Sequence, residues 1–293
     1  MWKEILAGAA GLAAACLLRS EYEKKALSTE ETEIAADPIK REMTLLFLSD
    51  LHGNRFGKQN QRLLEAVEQQ KPDAILCGGD MMITGDRLEG LDTAEALLTE
   101  LAGRYPVYYG MGNHESRLRR KKELYGDAFA QYKSRLEKAG VIWLEDASAD
   151  LGETVRISSV DLEPRFYRKK LFGRGLGMEE GYLESKLGRQ QEQTCFQILL
   201  CHSPLYFSQA AAWGADLVLS GHFHGGTIRL PFLGGVMTPQ FQFFHPFCAG
   251  TFVQNGAVLC VSRGLGTHSI NIRFGNRPQL VVLKLKPTRT AAE

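Results

Sequence analysis

The stretch MTLLFLSDLHGN, residues 43–54, decides how this chain is read. Its first six residues are apolar enough, and short enough, for a buried strand. They run straight into Asp50 and His52, side chains that ligate metals and move protons. The same pattern recurs downstream. Asp80 follows AILCGG, Asn113 and His114 follow VYYGMG, His202 follows ILLC, and His222 and His224 follow LVLSG. Five strand-like runs therefore deliver polar side chains just past their carboxyl ends. In α/β sheets that edge is where ligand sites form.

Working outward, strand-type runs occur at Leu45–Leu48, Ala74–Cys77, Val107–Tyr109, Val141–Leu144, Ile198–Cys201, Leu217–Leu219, Ala257–Val261 and Leu280–Leu285. Residues 59–70, 93–102 and 128–139 show helical spacing, as in Leu63, Leu64 and Val67. Alternating strands and helices predict an α/β fold, with one domain over residues 43–288.

The 293 residues are 44% apolar and 24% charged, an ordinary globular balance. A net charge of +1 provides no basic field, so no nucleic-acid partner is expected. Six cysteines without a CxxC pair read as small buried thiols, which weakly favours a reducing compartment.

Residues 5–18, ILAGAAGLAAACLL, carry no charge. The run is shorter than the roughly 20 residues of a full span. A signal anchor, a cleaved signal, a surface-lying helix and a soluble helix packed on the domain all suit it, and membrane attachment through residues 1–20 is the favoured reading. Lys3 precedes the run and Arg19, Lys24 and Lys25 follow it, a small bias toward a catalytic domain on the cytoplasmic side. Residues 21–42, with Glu30, Glu31, Glu33, Asp37 and Pro38, read as a polar linker or an early edge segment.

The candidate ligands are Asp50, His52, Asp80, Asn113, His202, His222 and His224. Hard oxygen combined with imidazole suits manganese foremost, with iron and zinc next, rather than calcium. Seven groups are too many for one tetrahedral ion. They suit two divalent ions sharing a carboxylate, which at about 3.5–4 Å apart clamp both oxygens of an in-line displacement at phosphorus. A glycine stands before several ligands, in Gly79-Asp80, Gly112-Asn113 and Gly221-His222, as expected where a chain turns sharply off a strand.

The order Asp50-Leu-His52, Gly79-Asp80, Gly112-Asn113-His114-Glu115, His202, Gly221-His222-Phe-His224 resembles the calcineurin-like metallophosphoesterase superfamily. The resemblance implies a four-layer αββα sandwich, two mixed sheets packed together with helices outside. It implies one ion on Asp50, His52 and His224, a second on Asn113, His202 and His222, and Asp80 bridging them. It also implies attack by a metal-bridging hydroxide, with His114 protonating the leaving oxygen or stabilising the transition state. The runs GHFHGGTIRLPFLGG (221–235) and SRGLGTHSINIRFGNRPQLVVLKL (262–285) resemble a bacterial membrane-associated branch related to UDP-2,3-diacylglucosamine pyrophosphatases. Phe223 replaces the small polar residue usual between the last two histidines.

Other segments read less sharply. The basic run Arg117, Arg119, Arg120, Lys121, Lys122 is an anion-attracting patch or a solvated helix face. RFYRKKLFGR (165–174) is a membrane-surface segment or a plain loop. Phe232, Phe241, Phe243, Phe244 and Phe247 form a cleft wall or pack beneath a loop, and His268 is a loop residue near the expected site. The function expected is a phosphodiesterase or pyrophosphatase acting on a membrane-linked phosphoester. A soluble nucleotide or phosphoprotein monoesterase is the alternative, and a non-catalytic metal-binding scaffold a third; the oligomeric state stays open.

Overall fold

The computed structural model describes residues 1–168, 176–190, 194–267 and 270–288. The chain runs through α1 (Trp2–Lys25), β1 (Ser28–Ala36), β2 (Met43–Leu48), α2 (Gln61–Gln70), β3 (Ala74–Cys77), β4 (Ile83–Thr84), β5 (Leu88–Glu89), α3 (Leu91–Ala102), β6 (Val107–Gly110) and α4 (Asn113–Arg120). It continues with α5 (Lys122–Tyr125), α6 (Ala128–Lys138), β7 (Val141–Leu144), β8 (Ala147–Leu151), β9 (Val155–Ser159), α7 (Tyr182–Leu187), β10 (Phe196–Leu200), α8 (Phe207–Trp213) and β11 (Leu217–Ser220). The last elements are β12 (Arg229–Leu230), β13 (Gly234–Gly235), β14 (Gly250–Gln254), β15 (Ala257–Val261) and β16 (Gln279–Pro287).

Two six-stranded mixed sheets result, in the orders β1-β16-β2-β3-β6-β7 and β14-β15-β11-β10-β9-β8. Strict alternation along each central strand splits its side chains between two layers. In β2, Leu45 and Phe47 point between the sheets while Leu46 and Leu48 point toward α2, α3 and α6. In β10, Ile198 and Leu200 enter the inter-sheet core while Leu199 joins the cluster beneath α7 and α8. Both faces of both sheets are therefore covered, which is why these strands read as continuous apolar runs. The architecture is the four-layer αββα sandwich that the resemblance implied.

The stretch 21–42 is not a linker. Residues up to Lys25 continue α1, and Ser28–Ala36 forms edge strand β1, parallel to β16 with Ser28 opposite Gln279 and Ala36 opposite Pro287. The edge-segment reading is the one the structure carries. One face of β1 is polar because it meets solvent, which hides it from an apolar-run search. The six cysteines are free, four of them buried.

Candidate metal centre

Asp50 and His52 follow β2, Asp80 follows β3, Asn113 and His114 open α4 after β6, His202 follows β10, and His222 and His224 follow β11. The first three strands belong to one sheet and the last two to the other. The site therefore sits across the carboxyl edges of both sheets, and all seven candidate ligands and His114 converge there.

Asp50, His52, Asp80, His222 and His224 themselves take left-handed backbone angles, with φ of 54°, 47°, 55°, 66° and 50°. Such angles are uncommon for residues with a Cβ and concentrate at functional sites. This corrects the sequence reading of the glycines. Only Gly79 has positive φ, at 84°; Gly112 and Gly221 do not. Those two are glycine for space: a Cβ on Gly112 would overlap Asp80 Oδ1, and one on Gly221 would overlap Asp50 Oδ2 and Ser49 Oγ.

The acceptor atoms are close. His52 Nε2 lies 3.2 Å from His224 Nε2. Asp50 Oδ1 lies 3.5 Å from His224 Nε2, 3.7 Å from His202 Nε2 and 3.9 Å from His52 Nε2. Asp80 Oδ2 lies 3.0 Å from His202 Nε2. Two groups have ligand atoms within 4.8 Å of one another, Asp50–His52–His224 and Asp80–His202–His222, and a third, His52–Asp80–His114, links them.

Tautomers follow from the other ring nitrogens. Nδ1 of His52 faces Met82 O (3.3 Å), that of His202 faces Gly78 O (2.7 Å), and that of His224 faces Gly266 O (3.2 Å). A carbonyl oxygen only accepts, so in these rings Nδ1 carries a proton and Nε2 is the nitrogen turned to the centre, with a lone pair for an ion once it is deprotonated. Two such lone pairs facing at 3.2 Å, on His52 and His224, repel unless a cation or a proton lies between them. His222 Nε2 is buried with no hydrogen-bond partner. The Asn113 amide stands 3.2 Å from Asp80 Oδ2 and 2.9 Å from His222 Nδ1; nitrogen inward donates to both, while oxygen inward adds a third acceptor, the arrangement a cation requires. The donor set fits divalent ions.

His114 is arranged the opposite way. Its Nδ1 accepts from the Thr84 backbone N–H at 2.7 Å, so the neutral ring carries its proton on Nε2, which lies 4.0 Å from Asp80 Oδ2. It points a donor, not a lone pair, toward the site.

The charges are strongly coupled by burial. Burial raises the Asp50 carboxyl to about 6, opposed by His202 and reinforced by Asp80. Burial also disfavours the Asp80 carboxylate, but the attraction of the adjacent imidazoles, His202 first, outweighs it and holds Asp80 well below the carboxylate range. His202 is lowered by burial yet pushed up to about 10 by Asp80 and Asp50, so without an ion its Nε2 also carries a proton, facing Asp80 Oδ2, and a bound cation would take that proton's place. Burial, then the His202 charge, drives His222 well below 6.5, leaving it neutral and able to ligate.

Several supporting residues escape sequence reading. Glu115, fully buried, accepts from Asp80 N (2.8 Å), Met81 N (3.0 Å), Gly112 N (3.0 Å) and Tyr109 Oη (2.6 Å), tying two ligand loops together. It belongs to the Gly112–Glu115 block of the resemblance, where no role was given it; in the structure it is the third residue of α4 and closes a capping box with Gly112. Ser49 Oγ donates to Asp50 Oδ2 at 2.5 Å. Tyr167 packs against His222, ring centroids 5.0 Å apart, with its hydroxyl buried and unpartnered.

Other expectations resolve differently. Arg119 pairs with Glu145 and Asp161, and Arg120 approaches Asp161, so much of the basic run is internally neutralised. Phe241 lines a small cavity against His224, Phe223 and Phe247 pack inside, and Phe232, Phe243 and Phe244 are exposed. His245 joins none of the ligand groups; its ring packs on Phe223, centroids 5.3 Å apart, and its Nδ1 accepts from Phe247 N. His268 and residues 169–174 of the basic-aromatic segment lie outside the described residues.

Known proteins match this chain. A family model for calcineurin-like phosphoesterases matches residues 43–226. The chain is 27% identical over 226 residues to the uncharacterised metallophosphoesterase YkuE of Bacillus subtilis, covering 76% of this chain and 71% of that one. It is 26% identical over 288 residues to YpbG of the same organism, covering 96% of each. It is 26% identical over 245 residues to the phosphodiesterase YaeI of Escherichia coli, covering 82% of this chain and 81% of that one. The family match spans every strand end described above, from Asp50 to His224, and the chain belongs to the calcineurin-like phosphoesterase family of metal-dependent phosphoester hydrolases.

Proposed function

We propose that this chain is a phosphodiesterase or pyrophosphatase that uses two divalent ions on a membrane-linked phosphoester. The opposed ring orientations support the reading: His52, His202 and His224 spend Nδ1 on backbone carbonyls and turn Nε2 inward as the ligating atom, while His114 spends Nδ1 on a backbone N–H and turns a donor inward. Asp50, His52 and His224 would hold one ion, Asn113, His202 and His222 the other, with Asp80 shared. Manganese is the first choice, with iron and zinc also suited to these ligands. Bound there, the ions supply charge for the phosphoryl oxygens and acidify a water between them.

The protein's own groups do the rest. Glu115 fixes the Asp80 and Gly112 loops, so the ligands are held before substrate arrives. His114 donates an Nε2–H hydrogen bond toward the leaving oxygen. Because the Thr84 N–H occupies its Nδ1, the ring acts as a neutral donor that stabilises developing charge. Of the two roles the resemblance offers, this supports charge stabilisation over proton transfer.

The membrane-linked substrate rests on α1. Its 24 residues are long and apolar enough to cross a bilayer, with almost none of the helix buried. The likeness to the diacylglucosamine pyrophosphatase branch points the same way, and the small Lys and Arg bias favours a domain on the cytoplasmic side.

The test is a panel run on the full chain in detergent with Mn²⁺: aryl mono- and diesters, nucleoside diphosphate sugars and lipid-linked pyrophosphates. Diesters or lipid-linked pyrophosphates should lead, and chelator should abolish the activity. Preference for soluble monoesters would overturn the substrate reading. His114→Ala should lower kcat by about 10²–10³ with metal content unchanged, the usual loss for one charge-stabilising donor. Loss of metal in that variant would place His114 among the ligands instead.

A further inference from the structure

Large exposed apolar side chains are not scattered over this molecule. Apart from Leu124, Leu176 and Val253, every one among the described residues lies on α1 or its N-cap Met1, on residues 230–244, or at Ile270. The second group comprises Leu230, Phe232, Leu233, Phe243, Phe244 and Ile270. Phe232, at the tip of the β12–β13 hairpin, is as exposed as a side chain can be. It and Phe244 sit at left-handed φ of 65° and 49°. Those angles cost energy for an aromatic residue, and here the strained backbone holds rings outward, away from any core.

The two apolar groups adjoin. The last turn of α1 is hydrogen-bonded to the segment 271–276: Arg273 N donates to Ser20 Oγ (3.0 Å), Asn276 N to Glu23 Oε2 (2.8 Å), and Lys24 Nζ to Asn271 Oδ1 (3.2 Å). That segment bridges the base of the hairpin, Ile228 pairing with Phe274 and Arg229 N donating to Phe274 O. Met237 in turn pairs with Phe243. The root of α1 also has the composition of a bilayer interface. Arg19 and Arg277 stack on the Tyr22 ring, at 5.6 and 5.8 Å, and Lys24 and Lys25 follow. Aromatic and basic side chains together match the headgroup layer, and the bases match anionic lipid.

We infer that the 230–244 aromatic tips dock into the same leaflet that α1 enters, so that the protein stands on the bilayer at two points. This rests on the membrane reading of α1 and sharpens it. Phe241 and Thr238 line the cavity against His224, and Asn276 donates to His224 O at 2.7 Å. Two-point docking then opens the His224 side of the centre at headgroup depth. The substrate class that fits is a phosphoester lying in the headgroup layer of that leaflet, with its acyl chains still in the bilayer.

The experiment uses the full chain in phosphatidylcholine vesicles containing a minority of phosphatidylglycerol. Cys16→Ser and Cys195→Ser remove the accessible thiols, and Phe232→Cys takes an environment-sensitive fluorophore; Glu137→Cys on exposed α6 serves as the reference position. The expected result is flotation with the vesicles, a blue shift and lipid-nitroxide quenching at position 232, loss of aqueous iodide quenching there, and the reverse at position 137. Flotation with position 232 still open to iodide overturns the docking while leaving the anchor intact. Shielding from iodide without lipid quenching, accompanied by cross-linked dimers, assigns the patch to a second copy and also overturns it. Failure to float removes the membrane reading itself, and the docking with it.

Discussion

Replacing Glu23 with alanine should weaken a metal site that its own helix never touches. The Glu23 carboxylate is buried, and it accepts from Arg19 Nε at 2.7 Å and from Asn276 N at 2.8 Å. Arg19 is half exposed and can rehydrate. The Asn276 N–H cannot, and a buried donor left without an acceptor costs about 1–3 kcal/mol. In a chain of this size that corresponds to a fall in Tm of roughly 2–4 °C per kcal/mol. The loss does not stop at the helix. Asn276 Nδ2 donates to His224 O (2.7 Å) and Thr227 O (3.1 Å), so a loosened residue 276 loosens His224. Removing an outer support of a ligating histidine typically lowers metal affinity about 10–100-fold. Calorimetric titration of the full chain with Mn²⁺ in detergent should show one of two binding events weakened by that factor and the other unchanged. Glu23→Gln keeps an acceptor for Asn276 and should recover much of the loss. Unchanged affinities together with an unchanged Tm in Glu23→Ala would refute the coupling.

Two further outcomes follow from the same geometry. Gly221→Ala should fold yet lose metal, because the new Cβ overlaps the Asp50 carboxylate and Ser49 Oγ; metal analysis against circular dichroism separates the two effects. Glu145 is raised by its burial but lowered further by Arg119 and Lys133, so its folded pKa lies below 4.5. Its contribution is therefore present above pH 4.5 and disappears as pH falls through the folded value. The Tm difference between wild type and Glu145→Gln should accordingly be largest near neutrality and vanish in acid, and a difference that persists in acid would assign it to packing instead.

Most of the scaffold was legible because apolar runs and strand-end polarity are local properties. LLFLSDLH, AILCGGD and LVLSGHFH each announce a buried strand and the ligand beyond it. What stayed hidden depends on neighbours distant in the chain. STEETEIAA reads as polar because one face of β1 meets solvent. The β8–β9 hairpin, ASADL and VRISS, has too little bulk to register as strand. Glu115 stood in the Gly112–Glu115 block without a role of its own, and Thr84 and Glu23 drew no reading. Each acts through a partner that only the fold supplies. The glycines misled in a different way: spacing showed that they mattered, but only packing shows that Gly112 and Gly221 are there for want of room.

Strand β1 also sets a schedule for biosynthesis. Ser28 bonds to Pro278, 250 residues away, and every position of β1 pairs with β16. Nothing in between can complete that edge of the sheet. While the chain grows, β1 and the buried Glu23 wait for β16 and the segment before it to emerge. Closing so long a loop is slow and leaves edges exposed meanwhile. β16 thus joins β1, and only then are the helix root and the His224 loop locked together. His224 thus gains its support from Asn276 only after residues 270–287 have emerged, well after the other candidate ligand loops have been made.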